Sequence, residues 1–150
     1  AGPHLDAIAR RPLWDAGLDY DHGTGHGVGA FLSVHEGPVS ISRAAKPVPL
    51  RAGMILSDEP GFYLPGHYGI RIENLVLVAE APRLPDQARP FLCFETLTLA
   101  PYSRALLEPT LLTAAELAWV NAYHARVVRE VGPLLDEAAR AWLEAEAAPL

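Results

Sequence analysis

The sequence predicts an α+β fold in which a turn-rich, strand-forming segment precedes a helical tail. The chain has 150 residues with 14 prolines and 12 glycines, most of them in the first hundred residues. Because glycine and proline interrupt regular elements, this part favours short strands joined by turns. The last forty residues are rich in alanine, leucine and glutamate, which favour helices. We expect a curved, mainly antiparallel sheet with an N-terminal helix in residues 1–100, and a C-terminal helical hairpin in residues 101–150.

The first hundred residues open with a short predicted helix, residues 4–11, which Pro12 ends. Its apolar face carries Leu5, Ile8 and Ala9. The segment 21–33 has a glycine at every second position from 23 to 29. This spacing opposes a helix and suits an extended chain that is approached closely on one face. The other face of that segment carries His22, Thr24, His26 and Val28.

Two further strands are predicted at residues 54–57 and 69–78, and a turn at residues 59–66 joins them into a hairpin-like pair. Both faces of the second strand are largely apolar, which predicts a central, covered strand. Residues 91–99 predict one more strand. Within it, Cys93 is expected to be a buried structural thiol.

The tail predicts two helices. Thr113 and Glu116 form a capping box that starts the first helix, and Gly132 with the following proline ends it. His124 lies on the apolar stripe of this helix, where packing is its expected role. A second helix, residues 136–147, completes the hairpin.

Composition excludes several classes of protein. The net charge is −6 and Lys46 is the single lysine, so no basic stripe exists for nucleic acid. No apolar run approaches the roughly 20 residues that span a membrane. The single cysteine cannot form an internal disulfide, and a reducing, cytoplasmic setting is expected.

The first chemical signal is a pair of charges in the predicted covered strand. Buried Arg71 and Glu73 would need a partner or a metal, because an unpaired buried charge costs several kcal/mol. Hairpin pairing can bring Glu59 near Glu73 across the ladder, where a cation would relieve their repulsion. An Arg71–Glu73 ion pair and an exposed turn carboxylate at Glu59 remain the alternatives.

Three histidines, His22, His26 and His35, lie within fourteen residues of this glycine-rich part. Imidazole is both a common metal ligand and a proton-transfer group. One histidine with two glutamates would suit manganese, iron, cobalt or zinc. Scattered surface or core histidines remain the alternative. The residues after His35 do not form an H-E-x-x-H helix, because Gly37 and Pro38 follow.

These blocks resemble the Xaa-Pro aminopeptidase (aminopeptidase P) family over residues 4–143. The blocks are HGTGHGVG (22–29), VHEGP (34–38), DEPGFY (58–63) and GIRIEN (69–74). FETLTLAPYSRALLEP (94–109) and AELAWVNAYHARV (115–127) are similar to the C-terminal extension of the longer members. The resemblance implies the C-terminal half of a pita-bread metallopeptidase domain, followed by that extension.

Several roles follow from the resemblance. It implies two divalent metals, commonly manganese, with His26, Glu59 and Glu73 among five ligands. A metal-activated water would attack the carbonyl before a proline in the second position of a peptide. Glu59 would also take a proton from that water, and His22 and His35 would hold the substrate and its developing charge. Arg71 would orient the carboxylates. Tyr63 and Tyr68 are weaker candidates for the site, and packing is their expected role.

The family's two remaining ligands are aspartates in a D-G…D-x-T-R pattern of its first half. No aspartate here stands in that context: Asp6, Asp15, Asp19, Asp21, Asp58, Asp86 and Asp136. We therefore expect a fragment or a split enzyme that lacks two ligands and is inactive alone. Its expected partners are the missing N-terminal half, a peptide with proline second, and a second copy docked through the C-terminal helices.

Two other functions are compatible with these residues. Prolidase or another pita-bread hydrolase, such as a creatine amidinohydrolase, shares the ligand scheme, although the helical tail favours the aminopeptidase. A non-catalytic pita-bread module that binds peptides or proteins is the second alternative. The presence of His26, Glu59 and Glu73 together argues against that reading for the parent protein.

Overall fold

The computed structural model describes residues 1–31, 33–44 and 46–150. It divides the chain into a mainly sheet-forming unit, Ala1–Thr98, and a helical unit, Leu99–Leu150. All pairings between the described strands are antiparallel. Helices and antiparallel strands together confirm the predicted α+β class.

Helix α1 (Gly2–Asp15) is longer than predicted, because it continues through Pro12. A proline this close to the end of a helix removes one backbone hydrogen bond, to the carbonyl of Ile8. An Arg11–Asp15 ion pair of 2.7 Å spans the proline and supports the last turn. Of the predicted apolar face, Leu5 packs against the core of the first unit, but Ile8 is exposed. The buried face instead carries Gly2, Asp6 and Arg10.

The described residues of the first unit contain seven strands. In order, they are β1 (Gly25–His26), β2 (Ser40–Ile41), β3 (Ile55–Asp58), β4 (Gly61–Leu64), β5 (Tyr68–Arg71), β6 (Asn74–Glu80) and β7 (Leu92–Thr96). They form three small sheets: β1 pairs with β2, β4 pairs with β5, and β3, β6 and β7 form a three-stranded sheet with β6 in the centre. Within the predicted extended segment 21–33, Leu32 lies outside the described residues.

The predicted strand 69–78 is divided into β5 and β6, and the predicted turn 59–66 contains β4. The register nevertheless stays constant across the break, because Asp58 pairs with Asn74 before it and Gly61 with Arg71 after it. The two arms therefore form one long hairpin, as predicted. Its tight turn is at residues 65–67, where Gly66 has a φ of 78°.

The core of the first unit lies around β3 and β6. Leu56 is fully buried, and the cluster around it comprises Val39, Ile41, Val76 and Val78. Strand β7 pairs with β6 on one side, and most of its residues are exposed. Cys93 lies on this strand and is exposed, so the predicted burial of its thiol was wrong.

The second unit contains the predicted helical hairpin, α2 (Ala114–Val131) and α3 (Glu137–Glu146). Both halves of the Thr113–Glu116 capping box are formed, and a 3₁₀ turn (Gly132–Leu134) ends α2. Val127 and Leu143 are buried between these elements. Among the described residues, no helix is long and apolar enough to cross a membrane.

His124 is fully buried in this unit, in agreement with its predicted packing role. Its Nε2 accepts a hydrogen bond of 3.0 Å from the Tyr102 N–H, so the proton of the neutral ring is on Nδ1. Within the described part of the chain, Nδ1 has no hydrogen-bond partner. Burial lowers the pKa of His124, and the positive charge of Arg104 lowers it further, against a smaller opposing effect of Glu146.

This lowered pKa predicts that acid destabilises the helical unit. The unfolded chain takes up a proton on His124 near pH 6.5, and the folded chain takes it up only at a lower pH, so the free energy of unfolding falls as the pH decreases below about 7. Denaturant titrations followed by tryptophan fluorescence would measure the effect. His124→Gln keeps an acceptor for Tyr102 and should flatten the pH dependence, while the exposed His67→Gln should not. An equal slope in all three proteins would contradict the assignment.

Candidate functional site

The glycine-rich strand β1 is packed directly against β3. Gly27 forms a bridge with Leu56, and the Val28 N–H donates to the Ile55 carbonyl at 3.1 Å. A Cβ at Gly25 would overlap the carbonyl oxygen of Ser57. The predicted close approach along this segment is therefore present, and it brings His26 next to the end of β3.

Ser57 joins the two strands through its side chain, which is fully buried. Its Oγ accepts a hydrogen bond of 3.0 Å from the His26 N–H and donates one of 3.1 Å to Glu59 Oε1. The same Oε1 lies 3.1 Å from His26 Nε2, and the side chains of His26 and Glu59 are 19% and 13% exposed. These two predicted ligands are thus in direct contact and still accessible.

The orientation of the His26 ring limits what can lie between these two atoms. Nδ1 lies 3.0 Å from the Gly27 carbonyl, which can only accept, so Nδ1 carries a proton. In the neutral ring, the Nε2 lone pair then faces a carboxylate oxygen, and the two repel. A second proton on the ring or a bound cation removes that repulsion. The pair fits a divalent metal, because a neutral imidazole nitrogen and a carboxylate oxygen are both metal donors.

Three other predicted residues gather around this pair. The His35 ring lies 4.1 Å from the His26 ring, centroid to centroid, and is exposed. Arg71 Nη1 lies 4.0 Å from Glu59 Oε2. His22 Nε2 lies 2.9 Å from the hydroxyl of Tyr63, which also contacts Arg71.

Tyr63 connects His22 to Arg71, a role that the sequence did not predict. Arg71 Nε donates to the Tyr63 hydroxyl at 2.9 Å, and this bond is the largest cause of a raised pKa of Arg71. His22 Nδ1 faces the Gly23 carbonyl at 2.8 Å and carries the ring proton, so Nε2 accepts from the Tyr63 hydroxyl. The charge of Arg71 is thereby linked to His22 through one phenol group.

A sequence signal for Tyr63 does exist. Glu59, Gly61 and Tyr63 alternate along an extended chain and share one face. Gly61 and, across the ladder, Gly69 leave open the space in which the Tyr63 ring lies, since a Cβ at either position would come within 3 Å of that side chain. Ser57 gave no comparable signal, because a serine within a strand has many structural roles.

Glu73 occupies the position opposite Glu59 in the constant register of the hairpin. Its charge acts on Arg71 and contributes to the raised pKa of that residue. The predicted burial was wrong for both residues, because the Arg71 side chain is 48% exposed and Glu73 is exposed. The apolar pattern predicted a strand covered on both faces. Instead, the strand described next to β5 is β4, and all four β5 residues are exposed.

The predicted ligands are therefore only partly assembled. His26 and Glu59 touch, and Glu73 is aligned with them by strand register. Over residues 1–31, 33–44 and 46–150, no three histidine, cysteine, aspartate or glutamate side chains form a group that could hold a metal.

Comparisons with known proteins identify the family. Residues 1–80 match the model of metallopeptidase family M24, and residues 90–150 match the model of the C-terminal region of peptidase M24. The chain belongs to metallopeptidase family M24. The chain thus matches the M24 family model first and the model of the C-terminal region second, in the order that the resemblance implied.

The relatives are named as aminopeptidases. The chain is 48% identical over its whole length to a probable Xaa-Pro aminopeptidase P of Aspergillus fumigatus, of which it covers 24%. It is 49% identical over 99% of its length to a protein of the same name from Arthroderma gypseum, again covering 24%. The chain thus spans about a quarter of the length of these relatives.

A solved structure has the same fold. An X-prolyl aminopeptidase from Caenorhabditis elegans, described as a cytosolic enzyme with a di-nuclear active site, matches with a TM-score of 0.91 and 43% sequence identity. The match covers 99% of this chain and 25% of that protein. The fold is therefore that of an M24 enzyme segment, as the resemblance predicted.

Proposed function

We propose that this chain provides the C-terminal part of the catalytic site of an Xaa-Pro aminopeptidase. Such an enzyme releases the N-terminal residue from peptides with proline in the second position. The observation that carries the proposal is the His26 Nε2–Glu59 Oε1 contact of 3.1 Å, in a half-buried position. The names of the relatives and the match to the tail model favour the aminopeptidase over prolidase.

His26, Glu59 and Glu73 would hold the metals, which supply Lewis-acid activation of a water molecule when bound. The di-nuclear site described for the Caenorhabditis elegans protein supports two ions. Manganese is our proposal for their identity. The remaining aspartate ligands would come from residues outside this chain, so we propose that the 150 residues alone are inactive.

The side chains of the proposed site have separate roles in hydrolysis. Glu59 takes a proton from the attacking water, which adds to the carbonyl carbon before proline. The C–N bond then breaks, and the proton passes to the proline nitrogen. Arg71, 4.0 Å from Glu59 Oε2, orients that carboxylate. His22 and His35 bind the peptide and the charge that develops on its carbonyl oxygen.

The partners and the location belong to the same proposal. The chain would act with the N-terminal half of the catalytic domain and with a peptide substrate. The cytosolic description of the Caenorhabditis elegans enzyme supports a cytoplasmic location.

The proposed activity can be tested in a chimera. This chain would replace the aligned segment of the Aspergillus fumigatus relative. We expect the chimera to hydrolyse an Xaa-Pro-Xaa tripeptide much faster than an Xaa-Pro dipeptide, with liquid chromatography as the assay. A preference for the dipeptide would indicate a prolidase. No hydrolysis of either peptide by a folded, metal-loaded chimera would indicate a non-catalytic module.

The roles of the histidines can be separated in the same chimera. His26→Ala should remove both bound metal and activity, because it deletes a ligand. His22→Ala and His35→Ala should retain the metal but slow turnover by roughly 100-fold, the typical cost of losing a group that stabilises developing charge. Metal content by atomic absorption and kcat would be measured with His67→Ala as an exposed control. Equal metal loss in all three site variants would contradict this division.

A further inference from the structure

A buried ion pair in helix α1 lies outside the proposed site. Arg10 Nε donates to Asp6 Oδ2 at 2.8 Å, and both side chains are only 1% exposed. Removing two charges from water is costly unless each polar atom finds a partner. The other partners of this pair are on the segment that leads into the glycine-rich strand.

Arg10 holds that segment with its remaining nitrogens. Nη1 donates to Asp19 Oδ1 at 2.7 Å and to the Tyr20 carbonyl at 2.6 Å, while Nη2 donates to the His22 carbonyl at 2.5 Å. The guanidinium also lies 3.8 Å above the centre of the Tyr20 ring. One rigid fork therefore fixes the backbone of His22 relative to α1.

Asp6 holds the same segment two residues further along. Its Oδ1 accepts a hydrogen bond of 2.7 Å from the Thr24 hydroxyl, which also lies 2.5 Å from the Tyr20 hydroxyl. The Thr24 carbonyl in turn accepts from the Glu59 N–H at 2.7 Å. Burial raises the pKa of Asp6, but the hydrogen bonds from Arg10 and Thr24 outweigh it and leave that pKa below its usual range.

We propose that Arg10 is a positioning residue that directs the His22 imidazole toward Tyr63 by holding the His22 carbonyl, with Asp6 fixing Thr24 beside it. The catalytic meaning of this role rests on the proposed function. The geometric role does not, because His22 donates to the Gly23 carbonyl and accepts from Tyr63 in this chain alone.

The same helix provides a matched control. Arg11 and Asp15 also form an arginine–aspartate pair four residues apart, at 2.7 Å, but their side chains are 72% and 60% exposed. Arg10→Lys keeps the positive charge and loses the fork, whereas Arg11→Lys makes the same chemical change on the surface. A difference between these variants therefore reports the buried contacts.

The test is an NMR measurement of the histidine rings in the 150-residue chain, labelled with ¹⁵N-histidine. We expect Arg10→Lys to shift the ring-nitrogen signals of His22 from a fixed Nδ1–H tautomer toward the averaged values of a free imidazole. The ring-nitrogen signals of His67 and His124 should stay unchanged in Arg10→Lys. Arg11→Lys should leave the signals of all three histidines unchanged. An unchanged His22 in a destabilised Arg10→Lys chain would show a purely structural ion pair and overturn the proposal.

A second variant keeps the test decisive if Arg10→Lys does not fold. Asp19→Asn leaves the Asp6–Arg10 pair intact and weakens one contact of Nη1, together with the more exposed Asp19–Arg43 contact of 3.1 Å, so a smaller shift of the same His22 signals is expected. No shift in a folded Asp19→Asn chain would overturn the proposal.

In the chimera, Arg10→Lys should lower kcat by roughly 10-fold to 100-fold at unchanged metal content, as misplacement of a catalytic group does. An inactive parent chimera would refute the proposed function, while the NMR result would still decide the role of Arg10.

Discussion

The close packing of the glycine-rich strand against β3 is the constraint on which the site depends. A side chain at Gly25 would overlap the backbone of Ser57, so the two strands can approach only where no Cβ intervenes. That approach lets one buried hydroxyl, Ser57 Oγ, contact both the His26 backbone and the Glu59 carboxylate. The contact between the two proposed ligands thus follows from backbone geometry, because a wider spacing would separate imidazole and carboxylate.

The second constraint is the constant register of the long hairpin. It aligns Glu59 with Glu73 although regular strand structure is broken between them. Beyond the break, the arm carries Tyr63 and Arg71, which connect the glutamate side of the site to His22. The buried Asp6–Arg10 pair holds the other end of this connection, at the His22 carbonyl. The site residues are therefore held from two sides, by the hairpin and by α1.

Local chemistry allowed much of this to be predicted from the sequence. The alternating glycines, the capping box of Thr113 and Glu116, and the hairpin pairing all depend on short-range rules, and each is present. The histidine and glutamate blocks, through their resemblance to a family, named residues that the fold brings close together. The M24 family model matches residues 1–80, which contain these blocks.

The errors have a common physical origin. Apolar alternation does not show whether another layer covers a strand, so Arg71, Glu73 and Cys93 were predicted to be buried but are exposed. The buried face of α1 was missed because Asp6 and Arg10 interrupt its apolar pattern. Their partners outside the helix lie nine to eighteen residues away in sequence. Pro12 was predicted to end the helix because the rule for proline does not include the contacts that hold the final turn.

Our central claim is that these 150 residues carry part of a metal site and not all of it. Calorimetric titration with manganese tests this most directly, on the chain alone and on the chimera with the Aspergillus fumigatus relative. The account predicts weak or no binding by the chain and tight binding of two ions by the chimera. Tight, stoichiometric binding by the chain alone would contradict it, because the ligand set would then be complete within the sequence described.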